Sequence, residues 1–229
     1  MIKKIIFLPI LILILIIGCA PTYKVVVKMI PIIHNEENVI STKENTISIS
    51  KDDVKVTVVY QDRDSLEKIT PFINRNPYLT ENKILFTVFE VTIENNRDDK
   101  IEIDTSKCVL LDGLGNQYNA LSLAYFESLY PATTTQYYSY SPVFNEYSPN
   151  VVYTDDYYKR NITGKTLFKG GDIFPNVISK GFLVFEPIGR ESSNITLIIP
   201  YVRLFKDNQE IKKIDFKFKF SQETSVEKK

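Results

Sequence analysis

The sequence predicts a mainly β fold: two packed sheets in a sandwich, with one short helix and a long tyrosine-rich loop. Three observations carry this. Apolar and polar residues alternate with period two in run after run, the mark of strands with one buried face. Polar segments rich in Gly, Asn and Asp separate those runs at short intervals. Hydrophobic residues make up 44% of the 229, enough for a packed core and too many for a chain disordered throughout. That length suits one domain of ordinary size or two small ones.

In chain order, the first segment is not part of the sandwich. Lys3 and Lys4 precede Ile5 to Ile17, a run with no polar side chain, and Gly18-Cys19 closes it. The run is shorter than the roughly 20 apolar residues of a spanning helix, and it has the three-part form of a secretory signal. Ile16-Ile17-Gly18-Cys19 resembles a bacterial lipobox, with Ile where Leu is usual. The resemblance implies that residues 1–18 are a lipoprotein signal peptide and that Cys19 is the lipidation site. Its sulfur would receive a diacylglycerol and its new amino group an acyl chain such as palmitate. Two or three chains hold a membrane firmly where one does so only marginally. The other reading is an uncleaved anchor with Cys19 as a small hydrophobe. Ala20, rather than Asp, resembles the sorting pattern that sends lipoproteins to the outer membrane in cells that have one. The body is then extracytoplasmic and membrane-anchored.

Residues 19–45 read as a tether, broken by Pro21, Pro31 and the polar stretch from His34, although Lys24 to Ile33 could pair as an edge strand. The sandwich is expected over residues 46–220. Ile47 and Ile49, then Val54, Val56 and Val58, alternate with polar neighbours. Lys83 to Glu94 is a long strand. One face carries Leu85, Thr87, Phe89, Val91 and Ile93; the other is apolar at Phe86 and Val88 and polar from Glu90 onward. Such a face belongs to a strand leaving a covered region. Asn95 to Lys100 is a polar turn, and Ile101 with Ile103 starts the next strand. Val109 to Leu111 and Gln117 to Ala120 flank Asp112-Gly113-Leu114-Gly115-Asn116, a hairpin turn in which Gly and Asn supply positive φ. Ala120 to Leu129 reads as a short helix with Leu121, Ala124, Tyr125 and Leu129 as its apolar residues.

Residues 130–160 read as an irregular loop in which tyrosines crowd from Tyr130 to Tyr158 among Pro131, Pro142 and Pro149. Loops of that length are commonly functional or disordered. Tyrosine offers a rigid apolar face and a hydroxyl at low entropic cost, so Tyr137, Tyr138, Tyr140 and Tyr147 are the candidate ligand-binding residues, facing a glycan, a small molecule or a protein. A half-buried cover for one sheet is the structural alternative. Strands follow at Gly181 to Phe185, Asn194 to Ile199, Tyr201 to Phe205 and Ile211 to Phe220, the last with Phe216, Phe218 and Phe220 aimed at the core. Ser221 to Lys229 reads as a polar, frayed tail. About eight to ten strands in this order suggest an immunoglobulin-like β-sandwich. The Cys…Trp…Cys signature is absent, since the chain has no Trp.

Three stretches resemble the immunoglobulin-like domains of uncharacterised bacterial lipoproteins. They are Phe86 to Asn96, ending in Glu94-Asn95-Asn96; the hairpin from Val109 to Tyr118 with Leu121-Ser122; and Phe174-Pro175-Asn176 through Lys180 to Phe185, with Asn176 where Gly is usual. The resemblance spans about residues 50–200 and brings no catalytic residues.

Composition narrows the chemistry. Twenty-eight basic and 28 acidic residues give no net charge, which argues against a nucleic-acid partner, since such binding draws on phosphate neutralisation. His34, the single His, lies in the tether, so a nucleophile has no evident base. Two Cys cannot form a disulfide framework, and with one His they cannot close a structural zinc site. Cys108, in an apolar run, reads as a buried thiol. Gly164-Lys165-Thr166 lacks the earlier Gly of a phosphate loop, Lys159 standing in its place. Asp112 with Asn116 could be a turn clasp or part of a calcium loop, but lacks the dense ligands of an EF-hand. Asp98-Asp99 and Asp155-Asp156 are the paired acids an envelope hydrolase could use. The sequence thus points to a non-catalytic binding or assembly protein of the envelope, not an enzyme. It calls for no metal or cofactor and names the membrane, an envelope protein or a glycan as partners.

Overall fold

A computed structural model describes residues 23–33, 39–43, 45–66, 68, 86–129, 134–141, 146–153 and 163–228. Among them lie fourteen strands: β1 Tyr23–Pro31, β2 Val39–Lys43, β3 Thr46–Lys51, β4 Val54–Tyr60, β5 Thr87–Asn95, β6 Ile101–Ile103, β7 Val109–Asp112, β8 Gln117–Asn119, β9 Thr134–Ser141, β10 Glu146–Tyr153, β11 Gly171–Ile173, β12 Ile178–Phe185, β13 Asn194–Lys206 and β14 Gln209–Lys228. The short helices α1 Arg63–Leu66 and α2 Leu123–Leu129, a 3-10 turn at Thr105–Lys107 and a helical turn over 163–166 join them. The fold is mainly β with two packed sheets, as the alternation predicts.

One sheet runs β12-β5-β4-β3-β2, antiparallel throughout. The other runs β1-β14-β13-β6-β11, with β7 on β13 and β8 on β7. β13 takes two partners on one side: Ile195 to Ile198 pair with β7, and Arg203 and Leu204 with β6. Between the sheets lies one core, built from residues that alternate inward. Val54, Val56, Val58, Phe89, Val91, Ile93, Phe216, Phe218 and Phe220 are fully buried there. Alternation buries them because every second Cβ on a strand points to the same face.

The outer face of β5 is apolar only where something covers it. Phe86 and Val88 pack with Leu66 of α1, Phe126 of α2 and Val184 of β12 in a second cluster. Farther along, Glu90 and Glu94 meet Lys180 at 2.9 Å and Lys55 at 2.8 Å in half-exposed ion pairs. The two-part face expected for this strand is therefore present. The helix α2 also forms as expected, but its buried residue is Phe126, while Ala124 is exposed and Leu129 is 39% exposed. The helix is too short for its periodicity to tell which side meets the sheet.

Three expectations need correction. The stretch 130–160, read as an irregular loop, contains the β9–β10 antiparallel hairpin. Tyr and Thr suit a pleated surface, and strand pairing needs no apolar periodicity when its faces are both polar-aromatic. Asn194–Ile199 and Tyr201–Phe205 are not separate strands. β13 runs through Pro200 by a bulge, with register shifting between Ile199 and Val202 and Tyr201 at φ +55°. Asp215 Oδ1 accepts from Tyr201 N–H at 2.8 Å, and a bulge is where a strand tolerates a residue without a donor. The tail expected to fray from Ser221 is strand as far as Lys228, paired with β1, which lies within the stretch read as tether. The register sets Lys28 opposite Glu223, and opposite charges facing across a ladder favour pairing. The edge strand allowed for Lys24 to Ile33 is thus formed over Tyr23–Pro31.

Candidate functional site

Of the positions singled out for function, Cys19, His34 and Asp155-Asp156 lie outside the described residues. Tyr137, Tyr138 and Tyr140 are on β9, and Tyr147 is on β10. The register pairs Tyr140 with Tyr147, Tyr138 with Pro149 and Tyr137 with Asn150. Ladder alternation places positions 138, 140 and 147 on one face of the hairpin and 137 on the other. The fold therefore brings three of the four tyrosine positions together and separates the fourth.

The Asp112 turn resolves on geometry. Asp112 Oδ1 accepts from Leu114 N–H at 3.0 Å and Asn116 N–H at 2.8 Å. Its Oδ2 accepts from Asn116 Nδ2 at 2.8 Å and from the Tyr118 hydroxyl at 3.2 Å. Gly115 sits at φ +90°, which spares the turn a Cβ penalty. Desolvation raises the carboxyl pKa, but the bonds from Asn116, Leu114 and Tyr118 together outweigh it and hold the group below its ordinary range. Ser192 Oγ accepts from Gly113 N–H at 3.0 Å and ties the turn to the strand start at Asn194. This carboxylate is a clasp whose lone pairs are taken by the turn.

Of the Asp98-Asp99 pair, Asp99 is likewise part of the frame. Asp99 Oδ1 accepts from Asp207 N–H at 3.2 Å, and the Asp99 carbonyl accepts from Asn95 Nδ2 at 3.0 Å. Asn95 is the residue that sequence reasoning named only as a strand end. It is 1% exposed. Its Nδ2 also donates to the Ile173 carbonyl at 2.9 Å, its Oδ1 accepts from Arg97 N–H at 3.2 Å, and its backbone bonds Val177 and Asn176. It therefore pins the β5–β6 and β11–β12 crossings, where the chain passes between sheets. Through its backbone bonds to Asn176 and Val177, Asn95 joins the stretch Phe86 to Asn96 to the stretch that starts at Phe174. Asn176, at φ +59°, takes the left-handed conformation that Gly usually fills.

Cys108 is 1% exposed, and burial, with the nearby Asp104 charge, pushes its thiol up to about 12. Thiol chemistry at neutral pH is suppressed there. A cavity of about 290 Å³ lies between α2, the 163–168 segment and β12, with apolar walls from Leu121, Leu123, Leu167 and Phe182 and with Thr105, Ser122 and Lys169 also in its lining. Its size is at the low end for a small-molecule site. Sequence reading did not find it, because its walls come from segments far apart in the chain.

Among the described residues no cluster of three or more His, Cys, Asp or Glu is placed to hold a metal ion. Among them, too, no helix is long and apolar enough to cross a membrane. No protein-family model, curated protein or solved structure matches the chain.

Proposed function

We propose that this chain is a bacterial envelope lipoprotein, anchored through a lipidated Cys19, whose immunoglobulin-like sandwich serves as a non-catalytic binding or assembly module. The observation that carries the reading is Ile16-Ile17-Gly18-Cys19 at the end of an apolar run headed by Lys3 and Lys4. A lipid concentrates the sandwich at one membrane face, where a partner of modest affinity is bound effectively. The roles of its acids support a frame rather than a reaction centre: Asp112 is spent on its turn and Asp99 on the β13–β14 turn. The immunoglobulin-like assignment rests on two packed antiparallel sheets joined by repeated crossings.

Metabolic labelling with a fatty acid tests the anchor: the wild type takes up label and Cys19→Ala does not. Equal labelling refutes it. In-cell crosslinking tests the module: an envelope protein is recovered repeatedly with the wild type, and recovery of the chain alone counts against it.

A second reading is favoured by the β9–β10 register, which sets Tyr140 opposite Tyr147 with position 138 on the same face. In this reading the hairpin stacks on a glycan or other small planar ligand. Cell-wall fragments then change the tyrosine fluorescence of the wild type but not of Tyr140→Ala/Tyr147→Ala. A flat response from the wild type removes this reading.

A further inference from the structure

β13 begins at Asn194, opposite Ser221, so beyond that rung β14 is held by β1 alone. The 186–193 loop reaches one residue farther, where the Gly189 carbonyl accepts from Gln222 Nε2 at 3.0 Å and the Ser193 carbonyl from Gln222 N–H at 2.8 Å. Met29, opposite Gln222, is 3% exposed. Then the environment changes. Every residue from Glu223 to Val226 is exposed, Val226 at 65%. The ladder nevertheless continues in unbroken register to Tyr23 opposite Lys228. At ~3.3 Å per residue the free part projects about 20 Å from the body.

This ribbon is continuous with the frame. β14 is one strand of 20 residues, from the turn at Asp207-Asn208 to the outermost rung. The Asp207 turn belongs to a far end in which hydrogen bonds join the β3–β4, β5–β6 and β13–β14 turns: Asp207 N–H to Asp99, and Arg97 Nη1 to the Asp52 carbonyl at 3.2 Å. Tilting the ribbon therefore tilts the sheet. Ala20, Pro21 and Thr22 alone separate Cys19 from Tyr23, a span of at most ~14 Å.

Resting on the lipid-anchor reading above, we propose that the β1–β14 ribbon is a standoff. Its outer rung, Tyr23 and Lys228, sits at the phospholipid headgroups and holds the sandwich end-on, with the far-end turns directed away from the bilayer. Tyr and Lys are residue types that favour the membrane interface. A free tether from residue 19 to residue 45 would let the body lie flat or turn over. The ribbon replaces it with a strand pair whose direction is set by the sheet.

The test uses the full-length lipidated protein in vesicles of phosphatidylethanolamine and phosphatidylglycerol carrying a headgroup nitroxide. A fluorophore is attached at Ser225→Cys in one preparation and at Lys206→Cys in another; both sites are exposed, and buried Cys108 stays unlabelled. Lys206 faces Gln209 at the start of β14, which puts the two positions about 50 Å apart along the sheet. Flotation with the vesicles, lost in Cys19→Ala, checks the anchor first. The standoff requires quenching at residue 225 and none at residue 206. It also requires that Glu223→Pro, which removes the donor β14 gives to β1 opposite Lys28, brings quenching to residue 206. A protein that floats but is quenched equally at both sites, or whose pattern Glu223→Pro leaves unchanged, overturns the standoff and leaves the anchor standing. A wild type that does not float overturns both.

Discussion

Asn95→Ala should be among the most damaging polar substitutions in the sandwich. The side chain is buried and makes three hydrogen bonds, to the Ile173 carbonyl, the Asp99 carbonyl and the Arg97 N–H. Each such bond contributes about 1 kcal/mol net, and a buried partner left unsatisfied costs about 1–3 kcal/mol. Water can reach the groups at Arg97 and Asp99, near the turn surface, so they cost the lower figure. The bond to Ile173 is the fully buried one and its loss costs more. The total is about 3 kcal/mol. For a domain of this size that lowers Tm by roughly 6–12 °C. Urea unfolding followed by circular dichroism measures it, with exposed Asn96→Ala as a control expected within about 0.5 kcal/mol of the wild type. Asn95→Asp sharpens the test. It keeps an acceptor for Arg97 but turns an oxygen toward two carbonyls, which raises the folded-state pKa of the new carboxyl above its unfolded value. Its deficit should therefore exceed that of the Ala variant at neutral pH and shrink as pH falls through that raised value. A loss below about 1 kcal/mol for Asn95→Ala would show that the crossings are held by packing alone, and would refute the reasoning.

Other outcomes follow from single contacts. Asp112 has a folded-state pKa below its ordinary one, so its stabilisation is complete above about pH 4 and is lost as pH falls through the lower folded value. Thermal melts across that acid range should be steeper in pH for the wild type than for Asp112→Asn, and parallel curves would count against the clasp. Gly181→Ala places a Cβ 2.6 Å from Phe168 Cα and 2.7 Å from its nitrogen, so it should destabilise by about 1–3 kcal/mol through overpacking; a neutral result in urea unfolding would show that the 163–168 segment is free to shift. Cys108, with its thiol pushed up to about 12, should resist a disulfide reagent at pH 8 until denaturant is added, and prompt labelling of the native protein would contradict its burial.

The sequence by itself determined the mainly β character, the main core and the turn chemistry. Ile47 to Val58, Phe89 to Ile93 and Phe216 to Phe220 were legible because period-two alternation is local and a buried face needs no distant information. The Asp112 turn was legible because its partners, Leu114, Asn116 and Tyr118, lie within six residues. Tertiary structure decided what depends on neighbours remote in the chain. Asn95 matters because residues 173 and 177 close on it. Phe126, not Leu129, faces inward because Phe86 and Leu66 are there to receive it. The last strand extends past Ser221 because residues 23–31 supply its ladder. A polar tail and a proline-flanked leader carry no alternation to announce them, and their pairing follows from backbone hydrogen bonds, which any two extended segments in register can share.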